Sequence, residues 1–306
     1  MLSSQASRAV THVKESEDNT MKKILCLVMS LCLVLALCAC GSSAPAASGG
    51  SDIKTGVPGK LTVATSPDFA PYEFYALDES GTPQLAGFDI ALAQYIADYL
   101  GLELDIIPMD FDGVLNELAA GSVDIGLAGL SPDPDRADAM DFSDIYYEGG
   151  QSFVTVKDKA SLFTSLADTN KAEYAIGAQN GSIQMKLAEA NSPDADIVSL
   201  VKVTDIVAEL LAGKLDGAYI ETAVAENYAK SYPDLAIVLD VPYEVEGSAV
   251  GVAKGNAELL AAVNEAIAAA KADGSFDAAV TEADALSATG DYYILSDGEI
   301  IENPDK

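Results

Sequence analysis

The sequence predicts an α/β protein of two lobes, each a mostly parallel sheet flanked by helices, joined by two crossings. Three observations lead there. Short apolar strands alternate with amphipathic helices from Lys60 onward, the pattern of right-handed βαβ units. The alternation runs twice, and two strand-like segments behind glycines bracket the second run: 152–156 after Gly149-Gly150, and 248–252 after Gly247. Apolar residues make up 49% of the chain, and about 250 residues follow its Gly/Ser-rich segment, ample for a sizeable core in each lobe.

The elements follow in order. Met21-Lys22-Lys23 precedes an apolar run from Ile24 to Ala39, sixteen residues, fewer than the roughly twenty that span a bilayer. The run ends Leu37-Cys38-Ala39-Cys40-Gly41. That ending resembles the lipobox of bacterial lipoproteins, which implies lipid on Cys40 and anchoring by dual acylation, because one acyl chain alone holds only marginally. Residues 1–39 are thus expected to be a leader and signal peptide, with translation from Met21 fitting better than from Met1. Residues 40–59, rich in Gly, Ser, Ala and Pro, form a flexible tether.

Strands are predicted over 61–65, 104–109 and 123–130. Phe88, Leu92, Tyr95, Ile96 and Tyr99 recur at helical spacing before Gly101, and a short helix over 114–120 stops at Gly121. The second run predicts strand 174–178, helix 182–190, strand 197–201, helix 204–212, strand 217–220 and helix 222–229. An Ala-rich helix over 257–272 returns to the first lobe. Lobe 1 is therefore expected to be 60–148 with 249–306, and lobe 2 to be 149–248.

Composition removes several classes of function. All four cysteines (Cys26, Cys32, Cys38, Cys40) and the sole histidine, His12, precede the folded region that starts at Lys60. Without them the folded region has no disulfide, no Ser-His-Asp triad, no Cys-His pair and no standard zinc site. Neither metal nor cofactor is expected. A net charge of −31 disfavours nucleic acid and anionic membrane surfaces as partners.

Ligands of open α/β sheets bind beyond the carboxyl ends of strands, and three such ends carry informative residues. In Leu130-Ser131-Pro132-Asp133-Pro134-Asp135-Arg136, Asp133 and Pro134 read as an N-cap and first helical residue. Arg136 then offers a planar cation to a carboxylate, or pairs with a neighbour such as Asp135 or Asp138. In Gln179-Asn180-Gly181-Ser182-Ile183 a helix start exposes amides to an anion. Glu221 ends the strand 217–220, where it suits an ammonium group or the start of the next helix. Phe69 and Phe111 follow strands and suit a ligand side chain or the core.

Several segments in order resemble the family-three solute-binding proteins of amino-acid ABC importers. They are residues 65–74 (Thr-Ser-Pro-Asp-Phe-Ala-Pro-Tyr-Glu-Phe), Gly87-Phe88-Asp89-Ile90, 109–113, Ala128-Gly129-Leu130-Ser131 through Arg136, 141–147, and Gly177 through Ser182. The match runs from Lys60 to about Phe276. The resemblance implies a type II periplasmic-binding-protein-like fold that closes over a free L-amino acid for a membrane permease, working as a monomer on the outer face of the cell membrane or in the periplasm. Phe69 and Phe111 would sandwich the ligand side chain. Gly129, Leu130 and Ser131 would lie at the strand end that meets its polar groups. Arg136 would hold the α-carboxylate with help from Gln179, Ser182 and Ile183, and Glu221 the α-ammonium group. Ser66 stands where many cation-preferring relatives carry an acid, which favours a neutral ligand. Asp68 and Asp112 nearby leave a basic one open. Two rival readings are a sensor component on the same fold and an enzyme resembling cyclohexadienyl dehydratases, with Glu221 as its acid/base group.

Overall fold

The computed structural model describes residues 53–78, 80–245, 247–288, 292–296 and 299–301. The leader, Cys40 and most of the tether lie outside these. Strand β1 (Lys60–Thr65) has its last five residues buried. Three short strands follow, β2 (Asp68–Phe69), β3 (Glu73–Leu77) and β4 (Pro83–Ala86), in a stretch where the sequence pattern predicts no strand. Helix α1 (Phe88–Leu100) buries Phe88, Leu92 and Ile96 as their spacing predicts. It ends at Gly101 with φ 67°, a left-handed cap that glycine adopts without a Cβ penalty. Strand β5 (Glu103–Pro108) leads to α2 (Phe111–Ala120). Only Ile125–Gly126 of the predicted strand 123–130 forms a ladder (β6), although nearly the whole run is buried.

Strand β7 (Met140–Tyr147) crosses at 148–150 into β8 (Gln151–Val156). Then come β9 (Ala175–Gln179), α3 (Ile183–Asn191), β10 (Asp196–Leu200), α4 (Val203–Leu211), β11 (Gly217–Glu221), α5 (Thr222–Ser231) and β12 (Leu235–Val241). The second crossing enters β13 (Ser248–Ala253), followed by α6 (Ala257–Asp273), α7 (Ser275–Ser287), β14 (Tyr292–Ser296) and β15 (Glu299–Ile301).

The described strands form three five-stranded sheets, ordered β5-β1-β6-β13-β7, β10-β9-β11-β8-β12 and β15-β14-β3-β2, with β4 pairing β3 in the third. In the first, β1 runs parallel to β5 and β6, while β13 runs antiparallel to β6 and β7. The second repeats this: β9 is parallel to β10 and β11, and β8 is antiparallel to β11 and β12. Each of these two sheets is therefore more mixed than βαβ alternation suggests. The strands built by βαβ units are parallel, and the strand arriving from the other lobe runs against them. Both crossings thus end inside sheets: Tyr147 pairs with Ser248, and Gln151 with Glu221.

Helices α6 and α7 pack against α1 in the first lobe. Helix α7 also reaches the second, where Asn227 of α5 donates to Ser287 Oγ at 2.6 Å. No helix among the described residues is long and apolar enough to cross a membrane.

Candidate ligand-binding site

The first lobe contributes the turn after β6. Gly129 has φ 55°, and a Cβ there would stand 2.6 Å from Phe69 Cε1, so glycine is required twice over. Its N–H donates to the Asp89 carboxylate at 3.0 Å. Leu130 is turned inward: its side chain is in the core and its carbonyl accepts the Ala249 N–H. Ser131 is buried beside it. Asp133 caps as predicted, accepting the Asp135 N–H at 3.0 Å, and Pro134 follows. The helix it opens is a single 3-10 turn, Pro134–Arg136.

Arg136 is held from both sides of the cleft. Its Nε lies 3.5 Å from Asp133 Oδ2, and its Nη2 donates at 2.8 Å to the Gly181 carbonyl of the other lobe. Its local partner is therefore Asp133, and neither Asp135 nor Asp138. Nη1 is buried with no partner, and burial pulls the guanidinium pKa down despite Asp133.

The second lobe contributes two strand ends. The carbonyl of Gln179 accepts from the N–H and the Oγ of Ser182 at 3.3 and 2.7 Å, while its side chain donates to Val201 O. Ser182 caps α3 by accepting the Met185 N–H at 3.2 Å. The Ile183 side chain belongs to that lobe's core, so only its main chain can serve an anion. Glu221 fulfils one of its two sequence readings outright: Oε2 accepts the Val224 N–H at 2.9 Å and caps α5. Its other oxygen, Oε1, is buried and has no partner in hydrogen-bond geometry among the described residues. Burial lifts the carboxyl to about 7, against opposing pulls from the Val224 N–H and the Tyr72 hydroxyl. A Cβ on Gly149 would lie 2.7 Å from Oε1, so any larger residue in the first crossing would push on this carboxylate.

Phe69 and Phe111 are both 7% exposed but belong to different apolar clusters, Phe69 with Tyr72 and Phe88, Phe111 with Val114, Leu118 and Leu130. Ser66 does not face a ligand with a free hydroxyl, since its Oγ donates to Asp68 at 2.9 Å. Asp68 in turn clasps the other lobe. Its Oδ2 accepts the Val203 N–H at the start of α4 at 2.7 Å, and its carbonyl accepts the Tyr228 hydroxyl. Burial lifts Asp68 to about 6. Further bonds join the lobes at the Arg136 side. Lys186 reaches Asp133 and Asp135 at 2.6 Å each, and Tyr243 donates to Pro132 O at 3.0 Å. The Asp68 clasp, Tyr72 and Asp89 carry no role in the sequence reading. An acid in a helix's first turn, such as Asp89, ordinarily reads as a dipole partner, and nothing local marks it as fully buried. Among the described residues no group of three or more His, Cys, Asp or Glu could hold a metal ion.

Two α/β lobes joined by two crossings, with strand ends meeting across the gap, define an extracellular solute-binding protein of the type II, two-lobed class. More particularly, the chain belongs to the bacterial extracellular solute-binding proteins, family 3, whose model matches residues 61–282. It is 34% identical over 251 residues to the arginine-binding extracellular protein ArtP of Bacillus subtilis, covering 81% of this chain and 92% of that one. The crystal structure of the amino acid ABC transporter substrate-binding protein AbpA from Streptococcus pneumoniae, bound to L-arginine, matches with TM-score 0.71 at 35% identity, over 75% of this chain and 96% of that one. The ancestral amino acid-binding protein AncCDT-1, a precursor of cyclohexadienyl dehydratase, matches with TM-score 0.66 at 32% identity, over 73% and 95%. These relatives are described as binding proteins and not as enzymes.

Proposed function

We propose that the chain captures a free L-α-amino acid between its lobes and delivers it to an ABC importer. The carrying observation is a pair of buried, oppositely charged atoms left without partners: Arg136 Nη1 on the first lobe and Glu221 Oε1 on the second. A buried charge without a partner is costly, and an α-amino acid offers one group of each sign to relieve both. Arg136 with the Ser182–Ile183 amides takes the carboxylate, Glu221 takes the ammonium group, and Phe69 and Phe111 flank the side chain. Neither lobe satisfies both charges, so the ligand favours closure through its differential contacts. Lobe 1 is 60–148 with 249–306, lobe 2 is 149–248, and the protein acts as a monomer.

The side chain of the ligand is basic in preference to neutral. Ser66 suggests a neutral ligand only if its hydroxyl replaces an acid in the pocket, and that hydroxyl is committed to Asp68. ArtP and AbpA, moreover, are both described with arginine. Calorimetric titration with the twenty amino acids tests both levels. Tight binding led by arginine is expected. Binding confined to neutral amino acids refutes the basic preference, and binding of none refutes the function. The anchor is lipid on Cys40 at the outer face of the membrane. Intact-mass measurement of membrane-extracted protein is expected to find an acylated Cys40, and an unmodified N-terminus beyond it would refute the anchor.

A further inference from the structure

Glu73 and Asp89 are both completely buried beneath the binding turn, and no arginine or lysine is seen to neutralise them. Asp89 Oδ2 accepts two hydrogen bonds, from the Gly129 N–H at 3.0 Å and from the Tyr146 hydroxyl at 2.9 Å. Asp89 Oδ1 and both Glu73 oxygens receive no N–H or O–H from the other described residues. The titratable groups around them are Asp68 on β2, Tyr72 before β3 and Tyr146 on β7, all acids. Two adjacent carboxylates cannot both stay ionised where water is excluded, and one proton between them removes the conflict. The carboxyls lie within hydrogen-bonding reach of each other, Glu73 as donor and Asp89 as acceptor, and burial holds Glu73 well above the usual carboxylate range while lifting Asp89 to about 6.

We propose that Glu73 is a neutral acid that donates its proton to Asp89, and that the pair positions the Gly129–Ser131 binding turn without touching the ligand. Gly129 is held between the Phe69 ring on one side and the Asp89 carboxylate on the other. The same turn leads through Ser131 into Asp133 and Arg136. Charge on Asp89 strengthens its bond to the Gly129 N–H, and the proton on Glu73 lets that charge persist in the core. The affinity consequence rests on the site reading above, whereas the shared proton does not.

Infrared spectroscopy and calorimetry test the two parts separately. At pH 8.5, above the titration of Glu221, wild-type protein should show the carbonyl band of a protonated buried carboxyl, and Glu73→Gln should lack it. Absence of that band in wild type overturns the shared proton, whether or not any amino acid binds. Glu73→Gln keeps a donor toward Asp89 and should bind the amino acid within about twofold of wild type. Asp89→Ala removes the acceptor from Gly129 and should bind at least tenfold more weakly while melting cooperatively. If Asp89→Ala does not fold, Asp89→Asn keeps one weaker acceptor and should bind three- to thirtyfold more weakly. A folded Asp89 variant with wild-type affinity, or Glu73→Gln as impaired as Asp89→Ala, overturns the positioning role. If wild type binds no amino acid, the site reading fails and the infrared result still stands.

Discussion

Arg136 is half-buried and Glu221 is buried, each leaves one buried atom unpartnered among the described residues, and the two lobes hold them differently. Glu221 is anchored by its own lobe, with Oε2 in the cap of α5, and the first lobe adds only the pull of the Tyr72 hydroxyl. Arg136 spends one nitrogen on Gly181 of the opposite lobe, so part of its position exists only when the lobes meet. The comparison teaches that one pole is preorganised and the other is completed by closure. In the proposed site a ligand would dock on Glu221 in an open cleft, and Arg136 would be fully positioned only as the cleft shuts.

The largest expected effect follows from removing the closing pole. Arg136→Ala leaves the ligand carboxylate buried without its cation, which should weaken binding by about 2–5 kcal/mol by calorimetry. Wild-type affinity in a folded Arg136→Ala would break the comparison at its first term. Glu221→Gln should cost less, about 1.5–3 kcal/mol, because the amide oxygen still accepts a hydrogen bond but carries no charge. The cap survives too, so its melting temperature should stay close to wild type. Glu221→Ala removes the cap as well and should lower unfolding stability by about 0.5–2 kcal/mol.

Acidity sharpens the same contrast, because only Glu221 titrates near neutrality. Its free-protein value near 7 means that ligand must bind the ionised form, so affinity should fall as pH drops below about 7, by at most about tenfold per unit. Stability of the unliganded protein should move the other way. Glu221, Asp68 and Asp89 have folded values raised above the unfolded ones, so the folded state binds more protons between about 4 and 7. Their contribution is therefore fullest at the acid end of that window and is lost as pH rises through 6 to 7. Thermal melts with and without ligand across pH 5–8 check both signs, and Glu221→Gln should flatten the affinity profile. The smallest effect is expected from Lys186→Ala. Its two ion pairs hold the lobes together at a partly exposed site, worth about 0.2–1 kcal/mol and weakening with salt.

Local pattern made much of the fold legible. The spacing of Phe88, Leu92 and Ile96 marks α1, Gly101 and Gly121 mark its end and that of α2, and the glycines at 149 and 247 mark both crossings. Strands β2, β3 and β4 escaped because they are short and their partners come from one another and from β14 near the C-terminus. Strand β7 and helix α7 lie outside the predicted elements for a related reason. Half-exposed Asp141 and exposed Asp144 interrupt β7, and α7 rests its stability on packing against α1. Within the site, Asp133-Pro134 was readable as a cap because capping is a local matter, whereas Ser182, read as the first helical residue, is the N-cap of α3. Which oxygen of Glu221 faces the cleft, and what Asp68 reaches, depend on the other lobe and are written in no single segment.

The Asp68 clasp has a practical consequence. The Val203 amide begins α4, and its hydrogen-bond acceptor comes from across the cleft. When the lobes part, that one N–H turns to solvent while the rest of the helix stays bonded. Its exchange with deuterium is therefore a built-in clock for opening, slow in the closed protein and set by how often the cleft gapes. No probe need be attached to time the motion that loads and unloads the carrier.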